Sequence, residues 1–141
     1  MPNRFDQNPA SLTPGLAPDT TDAGGEPTIL RVLVDDVRDF KDGRTAVLLR
    51  TSADAVAYVQ GLAGTPIDEL WLDHDLIGED TVQPLVDLLV ALAAQGRPVP
   101  VGRIWVHSSN IREGHRVVQE LLAAGYPVQR SYAANLWRHS F

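Results

Sequence analysis

The sequence predicts an α/β fold in which a parallel sheet carries helices on both faces. Two observations predict it. From Thr28 onward, short β-branched apolar runs alternate with segments whose apolar residues recur at helical spacing. The apolar runs also end abruptly in acids, histidine or arginine, and right-handed crossovers bring such ends to one edge of a parallel sheet.

The first strand, residues 29–34, is nearly all apolar, as suits a strand covered on both faces, and Asp35 ends it. A second short strand is expected within residues 44–50. Thr51 and Asp54 make a capping box for a helix that turns Ala55, Val56, Val59 and Leu62 inward and closes at Gly64. Residues 69–72 form the third strand and run straight into Asp73-His74-Asp75. Past the break at Gly78, Asp80 or Thr81 is the expected cap of a helix with Pro84 in its first turn. That helix buries Leu85, Leu88, Leu89 and Leu92 and ends at Gly96. Residues 103–106 are the fourth strand, followed by His107-Ser108-Ser109-Asn110. Asn110 and Glu113 make another capping box, for a helix that buries Val117, Val118, Leu121 and Leu122 until Gly125. Residues 127–130 begin a short fifth strand, and Trp137 anchors a last short helix in the tail.

The chain of 141 residues is the size of one ordinary domain, with 44% hydrophobic and 21% charged residues. The absence of cysteine excludes disulfide frameworks, thiolate zinc sites and cysteine nucleophiles, and it fits a reducing cytoplasm. Twelve basic against 18 acidic residues leave a net charge of −6, so an extended nucleic-acid groove is not expected, although a local patch can still grip a phosphate. The longest apolar stretch, residues 85–94, is interrupted by Asp87 and falls short of the ~20 residues of a membrane span. The first dozen residues have no apolar core of the signal-peptide kind, so a soluble cytoplasmic protein is expected. Residues 1–27 hold five of the ten prolines and no periodic apolar face. They read as a flexible tail or a protein-binding arm, and residues 28–141 as the folded domain.

The chemistry collects at the predicted strand ends, where open α/β sheets bind ligands. Asp35, Asp36 and Arg38 follow the first strand, and Asp73, His74 and Asp75 the third. His107, Ser108 and Asn110 follow the fourth strand, and Arg130 the fifth. Adjacent carboxylates directly after an apolar strand are a costly place for like charge, which points to a site rather than a solvated loop. Strand alternation sends Asp73 to one side and His74 to the other. His115 and His139 read as surface residues, and Trp71, Trp105 and Trp137 as packing.

An acidic pair after strand one, an Asp after strand three, a hydroxyl after strand four and a basic residue after strand five resemble the receiver domains of two-component signalling. The resemblance implies a flavodoxin-like, doubly wound, five-stranded sheet of order 2-1-3-4-5. Arg130 stands where receivers carry lysine. The strings VDDVRDF, LWLDHDLIG and VHSSN are more closely similar to the cyclic-phosphate processing receiver domains, an enzymatic offshoot proposed to act on terminal cyclic phosphates of RNA. This resemblance implies a phosphoesterase acting on 2′,3′-cyclic phosphate RNA ends or cyclic nucleotides.

For such a reaction His107 and His74, with near-neutral intrinsic pKa, are the acid–base candidates, with Asp73 as a further catalytic group. Asp35, Asp36 and Asp73 form an oxygen-rich cluster suited to Mg²⁺ or Mn²⁺. Arg38, Ser108, Asn110 and Arg130 are the candidates for holding phosphoryl oxygens. Two other readings stay open: a signalling receiver with Asp73 as phosphoacceptor, and a non-catalytic protein-binding module.

Overall fold

Val32, Leu33 and Val34 have no solvent exposure, because β1 (Arg31–Val34) is an inner strand with apolar side chains on both faces. The computed structural model describes residues 28–139; the tail expected over residues 1–27 lies outside them. After β1 come β2 (Arg38–Phe40), β3 (Val47–Leu49), α1 (Ser52–Leu62), β4 (Ile67–Leu72), α2 (Gln83–Ala94) and β5 (Val101–Val106). Then follow α3 (Ile111–Ala123), β6 (Val128–Arg130), a 3₁₀ turn (Ala134–Leu136) and β7 (Trp137–His139). Five strands form a parallel sheet in the order β3-β1-β4-β5-β6, which is the predicted 2-1-3-4-5 once β2 is set aside.

The helices start where their sequences provide caps. Thr51 Oγ1 accepts from the Asp54 amide at 3.1 Å, and Asn110 Oδ1 accepts from the Glu113 amide at 3.2 Å. The α2 start differs from expectation. Its N-cap position is Val82, which has no side-chain bond, and Thr81 Oγ1 accepts from the Gln83 amide at 3.2 Å. Asp80 instead binds the start of α1, accepting from the Ser52 amide at 2.7 Å and the Ser52 hydroxyl at 2.6 Å. The third and fourth sheet strands begin earlier than expected, at Ile67 and Val101.

The placement of helices differs from the two-faced arrangement. Val32, Val34, Leu70, Leu72, Ile104, Val106 and Val128 form one core with residues of all three helices, among them Ala55, Val59, Leu85, Leu89, Val117 and Leu121. All three helices therefore cover the same face. The reason is topological: each helical crossover steps in the same direction across the sheet, and right-handed crossovers that share a direction share a face. The one reverse step, from β1 to β3, contains no helix.

The opposite face is covered by a second, two-stranded sheet. β2 pairs antiparallel with β7, with Phe40 opposite Trp137. Leu33, Phe40 and Trp71 form the buried centre of this second core, with Trp105, Leu136 and Trp137 packed against it. Phe40 lies 4.8 Å from Trp137 and 5.2 Å, edge-on, from Trp71 between ring centroids. The tail expected as a short helix around Trp137 is thus a 3₁₀ turn followed by a strand. No helix among the described residues is long and apolar enough to cross a membrane.

Candidate functional site

The parallel ladder continues one residue beyond the strands. Asp35 donates its amide to the Leu49 carbonyl, Asp73 to Val34, His107 to Leu72 and Ser131 to Val106, at 2.9–3.1 Å. These four residues form a row across the carboxyl edge of the sheet. By strand alternation their side chains share the face of Leu33, Trp71 and Trp105, which is the face covered by β2 and β7 rather than by helices.

Asp35 is fully buried at one end of this row. Its Oδ1 accepts from the amides of Val37 at 3.0 Å and Arg38 at 2.8 Å. Its Oδ2 lies 2.9 Å from His107 Nε2 and 3.6 Å from Arg38 Nη1. Arg50 steadies the turn by donating Nη1 to the carbonyls of Asp35 and Arg38, at 2.9 and 2.6 Å. Burial acts to raise the Asp35 pKa, but the His107 bond and the two amides outweigh it and hold the carboxyl below its ordinary value.

His107 is 3% exposed and stacked on Trp137 at 4.3 Å between ring centroids. Burial pulls its pKa down, more strongly than the Asp35 bond pushes it up. A neutral imidazole facing an ionised carboxylate must donate from Nε2, which leaves Nδ1 as a bare acceptor. Nδ1 is buried and has no hydrogen-bond partner. An orphaned polar atom of this kind calls for an explanation, and a ligand or a reacting group supplies one.

The carboxylates of Asp35, Asp36 and Asp73 each offer an oxygen, and these oxygens lie within 4.8 Å of one another. Burial first, then the negative charge of Asp35, push the Asp73 carboxyl up to about 7. A buried cluster of like charge that cannot fully ionise alone is a chemical fit to a hard divalent cation, which takes oxygen ligands.

Arg38, His107, Ser108 and Arg130 line one cavity of about 390 Å³, together with Ser109, Ser131, Tyr132, Trp137 and His139. Arg130 is held in place by donating to the carbonyls of Val106 at 3.3 Å and Ser108 at 3.0 Å. A Cβ built on Gly114 would meet the Arg130 guanidinium carbon at 2.8 Å, so this helix position must stay small to admit the guanidinium. A larger hollow of about 500 Å³, lined by residues such as Leu62, Leu88 and Pro98, lies at the opposite end of the strands, remote from these groups.

Five expected site residues stand apart from the cavity wall: the carboxylates Asp35, Asp36 and Asp73, of which Asp35 reaches it only through His107 and Arg38, and two others, His74 and Asn110. His74 lies on the helix side, with Nδ1 2.7 Å from Asp75 Oδ1 and Nε2 3.3 Å from Glu113 Oε1. Both its nitrogens thus face carboxylates. Asn110 uses its carbonyl oxygen as the cap of α3, and Ser108 Oγ accepts from the Asn110 amide at 3.1 Å. Conversely, Tyr132, Trp137 and His139 line the cavity without having been singled out for it. The signal available in the sequence was the cluster of aromatic and basic side chains after the last sheet strand.

A central parallel sheet with an acidic pair after its first strand, an Asp after the adjacent strand and a basic residue after the last defines a receiver-like α/β protein. A model of the cyclic-phosphate processing receiver domain matches residues 30–123, and the chain belongs to that family. Comparison with curated proteins and with solved structures finds no match.

Proposed function

We propose that the protein hydrolyses 2′,3′-cyclic phosphates carried by a nucleotide or an RNA end. The observation that supports this most is His107: buried, tied through Nε2 to Asp35, without a partner at its buried Nδ1, and part of the lining of a cavity that two arginines also line. A carboxylate that orients an imidazole leaves the other ring nitrogen to take a proton, the division of labour found in acid–base dyads.

In this reading Nδ1 of His107 accepts a proton from water as the water oxygen bonds to phosphorus. The bond from phosphorus to one ring oxygen breaks, and that oxygen receives a proton to become a hydroxyl. Its donor is His139, the second imidazole on the cavity wall, on the same face of β7 as Trp137. The two histidines then exchange their proton difference with solvent. Arg38, Arg130 and Ser108 hold the phosphoryl oxygens. His74, clasped between Asp75 and Glu113, positions the loop after β4 and takes no proton from the substrate. Asp36 and Asp73, with Asp35, are the residues to hold Mg²⁺ or Mn²⁺, which would neutralise the carboxylates and polarise the phosphate.

The test is His107→Ala, assayed on a 2′,3′-cyclic mononucleotide with Mg²⁺ or Mn²⁺ supplied. The expected loss in kcat is about 10²- to 10⁴-fold, with a melting temperature close to the parent's. Undiminished activity in that variant overturns the reading.

A further inference from the structure

The wall of the cavity formed by Ser131, Tyr132, Trp137 and His139 lies beyond the stretch matched by the family. Within it, Tyr132 is 78% exposed, the highest exposure of any large apolar side chain in the described residues, whereas Tyr126 is buried at 4%. The Tyr132 ring is nonetheless held in place. The Arg130 guanidinium carbon lies 5.0 Å from its centroid, and Arg130 is itself pinned to the Val106 and Ser108 carbonyls. One side of the ring is thus backed by a fixed cation, and most of the rest is open to the cavity mouth and solvent.

Neighbouring loops at this edge show a similar exposure. Ile77, in the loop after β4, is 62% exposed, and Ile111, at the start of α3, is 74% exposed. Three of the six large exposed apolar side chains in the described residues therefore stand on the carboxyl edge of the sheet. The hollow of about 390 Å³ is also much larger than a phosphate group and falls in the range of small-molecule sites.

We infer that the cavity mouth is a nucleoside subsite, in which Tyr132, backed by Arg130, stacks the base of a ligand whose phosphate lies against Arg38 and Arg130. An aromatic ring beside arginines is the chemistry that holds a nucleobase next to its phosphate without reading its sequence. The inference rests on the proposed function for the place of the phosphate. It adds that the base of that substrate is itself recognised, and that it is held by a side chain outside the catalytic groups. A free cyclic nucleotide and the last nucleoside of an RNA share this chemistry.

The experiment compares the full chain with Tyr132→Ala and Tyr132→Phe on three substrates. They are a 2′,3′-cyclic purine mononucleotide, a short RNA ending in the same cyclic phosphate, and glycerol 1,2-cyclic phosphate, which has the strained ring but no base. Tyr132→Ala is expected to raise KM for both base-bearing substrates by about 5- to 150-fold, the range for one lost base stack, with little change in kcat. It is expected to leave glycerol 1,2-cyclic phosphate unaffected, and Tyr132→Phe is expected to restore the parent KM. Equal losses on all three substrates, no loss, or a loss confined to the RNA overturn the subsite. If the parent turns over none of them, the hydrolytic reading fails, and binding alone settles the subsite. Tighter binding of adenosine 3′-monophosphate than of ribose 5-phosphate, with the advantage lost in Tyr132→Ala, supports it, and equal binding overturns it.

Discussion

His107 and Asp73 are shaped by the same burial acting on groups of opposite charge type. Burial disfavours the charged form of each, so the imidazole stays neutral and the carboxyl holds its proton to about pH 7. The Asp73 shift has a sign that can be tested. A carboxyl whose pKa is raised above its ordinary 3.8 stabilises the fold fully below that value and loses the contribution as pH rises through about 7. Without divalent ions, the melting temperature should therefore fall from pH 4 to pH 8 more steeply in the parent than in Asp73→Asn. Mg²⁺ should recover much of that loss at pH 8 in the parent only, as ligands that bind the folded state do. Parallel pH profiles, followed by scanning calorimetry, would contradict the assignment. Asp35, Asp36, Asp73, Arg38 and His107 are legible in the sequence because each interrupts or follows an apolar run. Tyr132 and His139 are not. Tyr132 follows one strand of three residues and His139 ends another, both too short for a period to register, and the clustering of aromatic and basic side chains there is the one local sign of a cavity wall.

Among the elements, the helices were the most legible, because α1 and α3 announce their starts with side chains that bind their own first-turn amides. The start of α2 was less so, since Asp80 is used across the fold by Ser52, a partner 28 residues away. Two glycines test how tightly the elements meet. A Cβ at Gly102 would lie 2.6 Å from the backbone oxygen of Asp68, where neither strand can yield cheaply. Gly102→Ala is expected to cost about 1–3 kcal/mol in denaturant unfolding, while molecules that remain folded keep their site intact. Gly114→Ala crowds a guanidinium instead, and an arginine head can move. Its cost is offset by the ~1 kcal/mol that alanine gains over glycine in a helix. The expected outcome is a nearly unchanged melting temperature with weaker binding of phosphate compounds, because Arg130 loses its seat. A large stability loss without a change in binding would show that Arg130 is not a phosphate ligand.

For the whole molecule, the sequence conveys the parallel sheet, its strand order and its chemically loaded edge, but not what covers the second face. Two three-residue strands from distant parts of the chain make that cover, and their pairing is a tertiary event with no local signature. The cover also joins stability to the site, since Trp137 packs on Phe40, Trp71 and His107 at once. Trp137→Ala is expected to cost about 2–4 kcal/mol, less than a fully buried tryptophan, and to lower turnover by releasing the imidazole. A stability loss without a kinetic effect would separate the cover from the site. The account as a whole stands or falls on whether the loaded edge performs chemistry on a strained phosphate ring. ³¹P NMR of a 2′,3′-cyclic mononucleotide incubated with the full chain and Mg²⁺ or Mn²⁺ measures this directly. The account predicts that the cyclic diester resonance gives way to a phosphomonoester, at a rate that collapses in His107→Ala. A cyclic resonance that persists with either ion would contradict it.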